Sequence, residues 1–310
     1  MSFDRLIGRI MAMQNPTAAG LDPRLEYIPD FIKEEAFARC GENAQGAAEA
    51  FLAFNKALID ALWDIVPAVK PQVAFYEAYG WQGMKALAET ISYARSKGMY
   101  IITDGKRNDI GSTMAAYADA HLGTSRAGSA GLSAFEGDCL TVNGYLGTDG
   151  IAPLLKYCES ADRAIFVLVK TSNPSSGELQ DKLIDSLPVY RHMGDMCERW
   201  GQTTRSAGGY SAVGAVVGAT YPAQLADLRR QLPHTFFLVP GYGAQGGGAE
   251  DVVGAFDQNG LGAVINSSRG IMAAWQKEGC GPRQFAAAAR REALRMKEDI
   301  TSRISIVRNI

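Results

Sequence analysis

Thr17-Ala18-Ala19-Gly20-Leu21-Asp22-Pro23 is a short run of small and apolar residues that stops on an acid and a proline. A doubly wound open sheet would follow its first strand with a glycine-rich dinucleotide turn. Here the run ends in Gly20-Leu21-Asp22-Pro23 instead. Seven further runs of the same kind follow, at Val66–Val69, Tyr100–Thr103, Cys139–Val142, Ile165–Val169, Ala212–Val217, Phe236–Val239 and Ala263–Ile265. Helical patterning separates them, over Ala47–Trp63, Trp81–Ser96, Thr113–Ser125, Ser186–Ser206, Pro222–Gln231 and Ala249–Asp257, and Pro282–Ile300 closes the chain. The connection after Cys139–Val142 is less marked and falls over Asp149–Tyr157. Continuous apolar strands, each followed by a helix, predict a parallel sheet covered by helices. Eight such units in 310 residues predict an α/β fold, a single-domain (β/α)8 TIM barrel, with the open sheet as the alternative.

Composition narrows the function classes. With 47% hydrophobic and 21% charged residues, the chain buries a core large enough to need no disulfide or metal for folding. Its 31 basic and 33 acidic residues leave a net charge of −2, so bulk charge attracts neither nucleic acid nor an anionic membrane. Any anionic ligand must be held by a local site. Cys40, Cys139, Cys158, Cys197 and Cys280 are odd in number and widely spaced, which reads as free thiols in a reducing compartment. His121, His192 and His234 stand apart from them, so a His/Cys metal centre is poorly supplied. Asp4, Arg5 and Arg9 interrupt the first ten residues, and no apolar stretch approaches the roughly 20 residues that span a bilayer. The expectation is a cytoplasmic protein.

Two segments, near 23–46 and 172–185, are longer and more polar than an ordinary βα connection. In a barrel both lie on the C-terminal rim, where loops carry function. Charged and polar residues cluster where the apolar runs stop: Asp22, Lys70, Asp104 to Asp109, Asn143, Lys170 to Ser172, then a glycine-rich end at 240–248 and Asn266 to Gly270. Glycines alone are ordinary turn residues. A glycine-rich seventh strand end that includes Gly243 and Gly246, together with Arg269 after the eighth, points to a phosphate site. In Asp104-x-Lys106-x-x-Asp109, residues two apart at a strand end face the same side, so Asp104 and Lys106 are expected to share the barrel mouth with Lys70. Taken alone, that spacing also suits a solvated surface cluster.

The segments Gly20-Leu21-Asp22-Pro23, Val69-Lys70-Pro71-Gln72-Val73-Ala74-Phe75-Tyr76-Glu77, Asp104 to Thr113, Thr171-Ser172-Asn173-Pro174, Pro240 to Gly246 and Ser268-Arg269-Gly270 together resemble the orotidine 5′-phosphate decarboxylase family, and its longer bacterial subclass best. The resemblance runs from about residue 15 to 275. It implies a barrel homodimer that converts orotidine 5′-phosphate to UMP with no metal and no organic cofactor. It further implies that Lys70, Asp104 and Lys106 form a charged array at the reacting carbon, with Lys106 as proton donor. Asp109 and Thr113 would reach the neighbouring subunit's site. Asp22 would bind the ribose hydroxyls, Ser172 the pyrimidine edge, Gln245 base and phosphate together, and Arg269 the phosphate. The resemblance assigns nothing to Asn143, Lys170, Arg107 or the 23–46 segment.

Other readings use the same features. A metal-dependent sugar-phosphate decarboxylase of the same superfamily would need an acid near Lys70, where Lys70-Pro71-Gln72 stands. A Schiff-base aldolase needs a lysine of lowered pKa, which neighbouring carboxylates oppose. An inactive binding barrel would be expected to have lost a member of the charged set, and Lys70, Asp104, Lys106 and Asp109 are all present.

Overall fold

A computed structural model describes residues 2–243 and 248–308. Eight parallel strands close into a barrel: β1 (Thr17–Leu21), β2 (Ala68–Pro71), β3 (Tyr100–Arg107), β4 (Cys139–Val142), β5 (Ala164–Lys170), β6 (Val213–Val217), β7 (Phe237–Pro240) and β8 (Ala263–Ser267). Each pairs with its sequence neighbours, and β1 meets β8 with Thr17 opposite Ile265 and Ala19 opposite Ser267. The eight apolar runs are the eight strands, because residues buried on both faces leave little room for polar alternation. At the closing seam Gly20 leaves space that no other residue could: a Cβ there would lie 1.8 Å from Ser268 Oγ and 3.0 Å from the Ser268 Cα.

Helices cover the outside, including Ala44–Leu62, Gly80–Ser96, Gly111–Leu122, Thr148–Ser160, Val189–Gly201, Pro222–Gln231 and Phe285–Thr301. Among the described residues no helix is long and apolar enough to cross a membrane. A further helix, Ser2–Met13, has no counterpart in the sequence reading. Its Phe3, Leu6, Ile7 and Ile10 recur at helical spacing and are all buried. Phe3 packs at a tilt against Phe166, with ring centroids 4.9 Å apart, and stacks at 5.1 Å on Phe236, so the helix plugs the N-terminal end of the barrel. Beside it Asp138, just before β4, pairs with Arg5, with Arg95 at 3.1 Å and with Arg163 at 3.3 Å, and accepts the Ile101 N–H. These contacts tie the bottom of the barrel and leave the top for loops.

The two long rim segments are partly ordered into secondary structure. The first holds a 3-10 turn, Leu25–Tyr27, and a helix, Asp30–Cys40, whose apolar contribution is slight: only Ile32 and Ala36 are buried. That thin stripe is why the helix is hard to read from sequence. The second holds a 3-10 turn, Pro174–Glu178, and enters a two-residue hairpin that pairs Leu183–Ile184 with Leu187–Pro188.

Candidate active site

A cavity of about 1310 Å³ opens at the C-terminal face and receives side chains from the ends of all eight strands or the loops that follow them. Leu168, Val216 and Leu238 form an apolar stretch of its wall, and the polar groups gather around Asp104.

Asp104 is buried, and both of its carboxylate oxygens are doubly engaged. Oδ2 accepts Lys70 Nζ at 2.6 Å and Gln72 Nε2 at 2.9 Å. Oδ1 accepts Lys106 Nζ at 2.6 Å and Thr141 Oγ1 at 2.8 Å. Burial alone would raise the carboxyl pKa, but the two ammonium groups outweigh it and hold Asp104 well below the usual carboxylate range. The same balance acts on Lys70. Burial pulls its pKa down, and the carboxylates of Asp104 and, at 3.9 Å, Asp22 carry it above the ordinary lysine value. The cluster is therefore an ionised array with Lys106, 45% exposed, as the cation that faces the cavity.

Lys106 reaches Asp104 by a different route from simple strand alternation. β3 departs from regular pairing between Thr103 and Arg107, where four residues advance against two of β4. Lys106 itself sits at φ +46°, in the left-handed region that a lysine rarely adopts. Its N–H donates to Thr141 Oγ1 at 2.9 Å. One hydroxyl on the neighbouring strand thus holds both the strained backbone of Lys106 and the carboxylate that receives its ammonium. Neither Thr141 nor Gln72 was singled out from sequence: each gains its meaning from the strand beside it.

The other expected residues divide into three groups. Asp22, Ser172, Gly243 and Arg269 line the same cavity as Lys70, Asp104 and Lys106. One oxygen of Asp22, Oδ1, is buried without a hydrogen-bond partner in the protein, which leaves an acceptor for a ligand hydroxyl. Gly241 and Gly243 take φ of +101° and +73°, so glycine is what lets this strand end turn. Among the described residues, Arg269 and Lys277, both on the cavity wall, form no ion pair, which leaves two cations for an anionic ligand. Lys277 is a further residue the sequence reading missed. Asp109 and Thr113 do not line this chain's cavity; they lie at the start of the Gly111–Leu122 helix beside Ile110, which is 51% exposed. Gln245 and Gly246 lie outside the described residues. Arg24 and Tyr27 bring the 23–46 segment to the cavity wall, and Arg107 pairs with Glu77 at 2.5 Å on the rim.

Comparison with known proteins follows the same lines. Residues 48–279 match the family described as orotidine 5′-phosphate decarboxylase / HUMPS. A relative from Rhodopirellula baltica named orotidine 5′-phosphate decarboxylase is 45% identical over 285 residues, covering 92% of this chain and 91% of the relative. One of the same name from Petrotoga mobilis is 40% identical over 304 residues, covering 97% and 99%. The solved OMP decarboxylase of Leishmania donovani superposes with a TM-score of 0.69 at 29% identity, covering 93% of this chain and 98% of that one.

Two outcomes follow from the Asp104 network. Thr141→Val keeps the shape of the side chain but leaves the Lys106 N–H and one Asp104 lone pair unmet, at a cost of about 2 kcal/mol in a urea titration. Thr141→Ser should recover most of it, and a valine variant as stable as the parent would contradict the bridging role. Because the folded pKa of Asp104 is depressed, its stabilisation is complete above the unfolded carboxylate value near about 4 and is lost as pH falls below that. Asp104→Asn should therefore flatten the acid limb of the stability profile below about pH 4. An acid limb of undiminished steepness would show that Asp104 is not a source of it.

Proposed function

The chain belongs to the orotidine 5′-phosphate decarboxylase / HUMPS family, and from that premise we propose that it decarboxylates orotidine 5′-phosphate to UMP as a step of pyrimidine biosynthesis. The observation that carries this reading is the array in which Lys106 faces the cavity from the buried Lys70–Asp104 pair, in a cavity that also offers Asp22, Ser172 and Arg269.

The chemistry asks for such an array. Cleavage of the bond between C6 and the carboxylate leaves an electron pair on C6 with no adjacent carbonyl to delocalise it. An ammonium held at that carbon stabilises the developing charge, and preorganisation makes it effective because no solvent has to rearrange. Lys106 is the group we assign to that place. It then transfers a proton from Nζ to C6 as CO2 departs, giving UMP, and regains a proton from solvent. Four donors on Asp104 support an orienting role for this carboxylate, which fixes the Lys106 ammonium and keeps Lys70 charged. Lys70 and Asp22 would bind the ribose hydroxyls, and the buried Asp22 Oδ1, which accepts no hydrogen bond in the protein, supports this. Ser172 would read the pyrimidine edge, and Arg269, helped by Gln245, would hold the phosphate. Binding energy from the phosphate, remote from C6, can be used to order the site.

We also propose that the working unit is a homodimer in which Asp109 and Thr113 complete the neighbouring site. Two observations support it: neither residue lines this chain's cavity, and exposed apolar groups lie around them. Ile110, Tyr145 (73% exposed) and Leu146 lie on this rim, where the Asp109 backbone approaches Gly150.

The direct test is to add orotidine 5′-phosphate with a chelator present and follow ultraviolet absorbance. Conversion to UMP is expected, and Lys106→Ala should lower turnover by at least about a thousandfold while UMP still binds. Substantial turnover by that variant would reject Lys106 as proton donor. Mixing inactive Asp109→Asn with inactive Lys106→Ala protein should restore partial activity, since hybrid dimers hold one intact site. No recovery despite demonstrated subunit exchange would reject the shared site.

A further inference from the structure

Lys170 is the last residue of β5 and one of the most deeply buried side chains in the molecule, at 0% exposure. It takes no part in the Asp104 array. Its ammonium donates to Asp181 Oδ1 at 2.8 Å and to Ser176 Oγ at 3.1 Å, and lies over the Tyr221 ring at 4.4 Å. Asp181 and Ser176 both belong to the rim segment that follows, so a side chain rooted at the C-terminal end of β5 grips the loop that leaves it. An ammonium buried to this degree is tolerable only when paired and hydrogen-bonded. The loop must therefore stay folded over it.

What the loop carries gives this grip a consequence. Thr171, Ser172, Asn173 and Gln180 all line the cavity. Gln180, next to Asp181, locks the first turn of the segment: its Oε1 accepts the Thr171 N–H at 2.9 Å and its Nε2 donates to Thr171 Oγ1 at 2.7 Å. From the other side, Gly218 donates its N–H to the Lys170 carbonyl at 2.8 Å and lets Ser172 lie directly against it. A Cβ at Gly218 would come within 2.9 Å of the Ser172 backbone. Ser172 is thus held between the end of β6 and a loop whose closure depends on Lys170.

We infer that Lys170 and Asp181 are positioning residues for recognition of the pyrimidine: their ion pair sets the place of Ser172 at the base end of the cavity. Asp181 is the outer half of the pair, its side chain 41% exposed. The inference rests on the reading of Ser172 as the group that contacts the base. Lys170 itself does not line the cavity.

The test separates base recognition from phosphate recognition by titrating UMP and ribose 5-phosphate into the full-length protein. Asp181→Asn should weaken UMP about tenfold, in the range expected for loss of a hydrogen bond to a charged group, and leave ribose 5-phosphate unchanged. Ser172→Ala should give the same split, and the double variant should bind UMP no more weakly than the weaker single, since both act on one contact. Equal weakening of both ligands by Asp181→Asn would reduce the pair to a structural role and overturn the inference. So would losses that simply add in the double variant, or unaltered UMP binding by Asp181→Asn while Ser172→Ala weakens it. Unaltered UMP binding by Ser172→Ala would instead refute the reading of Ser172, and the inference with it. Should Asp181→Asn fail to fold, Ser176→Ala removes the smaller of the two Lys170 contacts and is expected to weaken UMP about threefold with the same selectivity.

Discussion

A carboxylate withdrawn from water needs a partner at each lone pair, and Asp104 finds four of them on three strand ends: Lys70 on β2 and Gln72 just after it, Lys106 on β3 and Thr141 on β4. This one buried charge sets the state of everything near it. Without it Lys70, equally buried, would be pressed toward its neutral form, and Lys106 would have no fixed direction. With it, Lys70 is kept charged in a confined space and the Lys106 ammonium is held beside it before any ligand arrives. A site arranged in this way stabilises new negative charge without reorganising. Part of its energetic cost is visible in the backbone, where Lys106 is held at a positive φ.

The barrel divides its labour between its two ends. At the bottom the Ser2–Met13 helix plugs the core with Phe3, and Asp138 gathers three arginines, none of which faces the cavity. At the top the strands stop on polar residues and the loops supply the walls. The rim segments are built into that wall: the first brings Arg24 and Tyr27, and the second is strapped to β5 through Lys170. Two buried lysines therefore do different things at the ends of two separate strands, β2 and β5. Lys70 is paired toward the cavity, and Lys170 is paired away from it, into its own loop.

How much of this is readable in the chain depends on how far apart the interacting residues lie. All eight strands are evident because a strand covered on both faces is apolar throughout, and the signal is contained in four to eight consecutive residues. The cluster of charges at the strand ends is evident for the same local reason. The Asp30–Cys40 helix is obscured because it buries so little, and the Ser2–Met13 helix shows its stripe only once its burial is known. The expected meeting of Asp104 and Lys106 is found, yet alternation along a strand is not what produces it. An irregular strand end and a hydroxyl from β4 produce it, and Thr141 looks in sequence like any β-branched strand residue.

The chain alone thus determined the barrel, the face that carries chemistry and the lysines and carboxylates at its mouth, because periodicity and the end of an apolar run are properties of neighbouring residues. Only the tertiary structure decided which oxygen each ammonium meets, that Thr141 braces Lys106, that Asp181 closes on Lys170, and that Asp109 and Thr113 do not line their own chain's cavity. Those facts depend on strand register and loop closure. Pairing in a buried site is settled over a few ångströms in space between groups far apart in the chain, as Thr141 and Asp104 are at a separation of 37 positions.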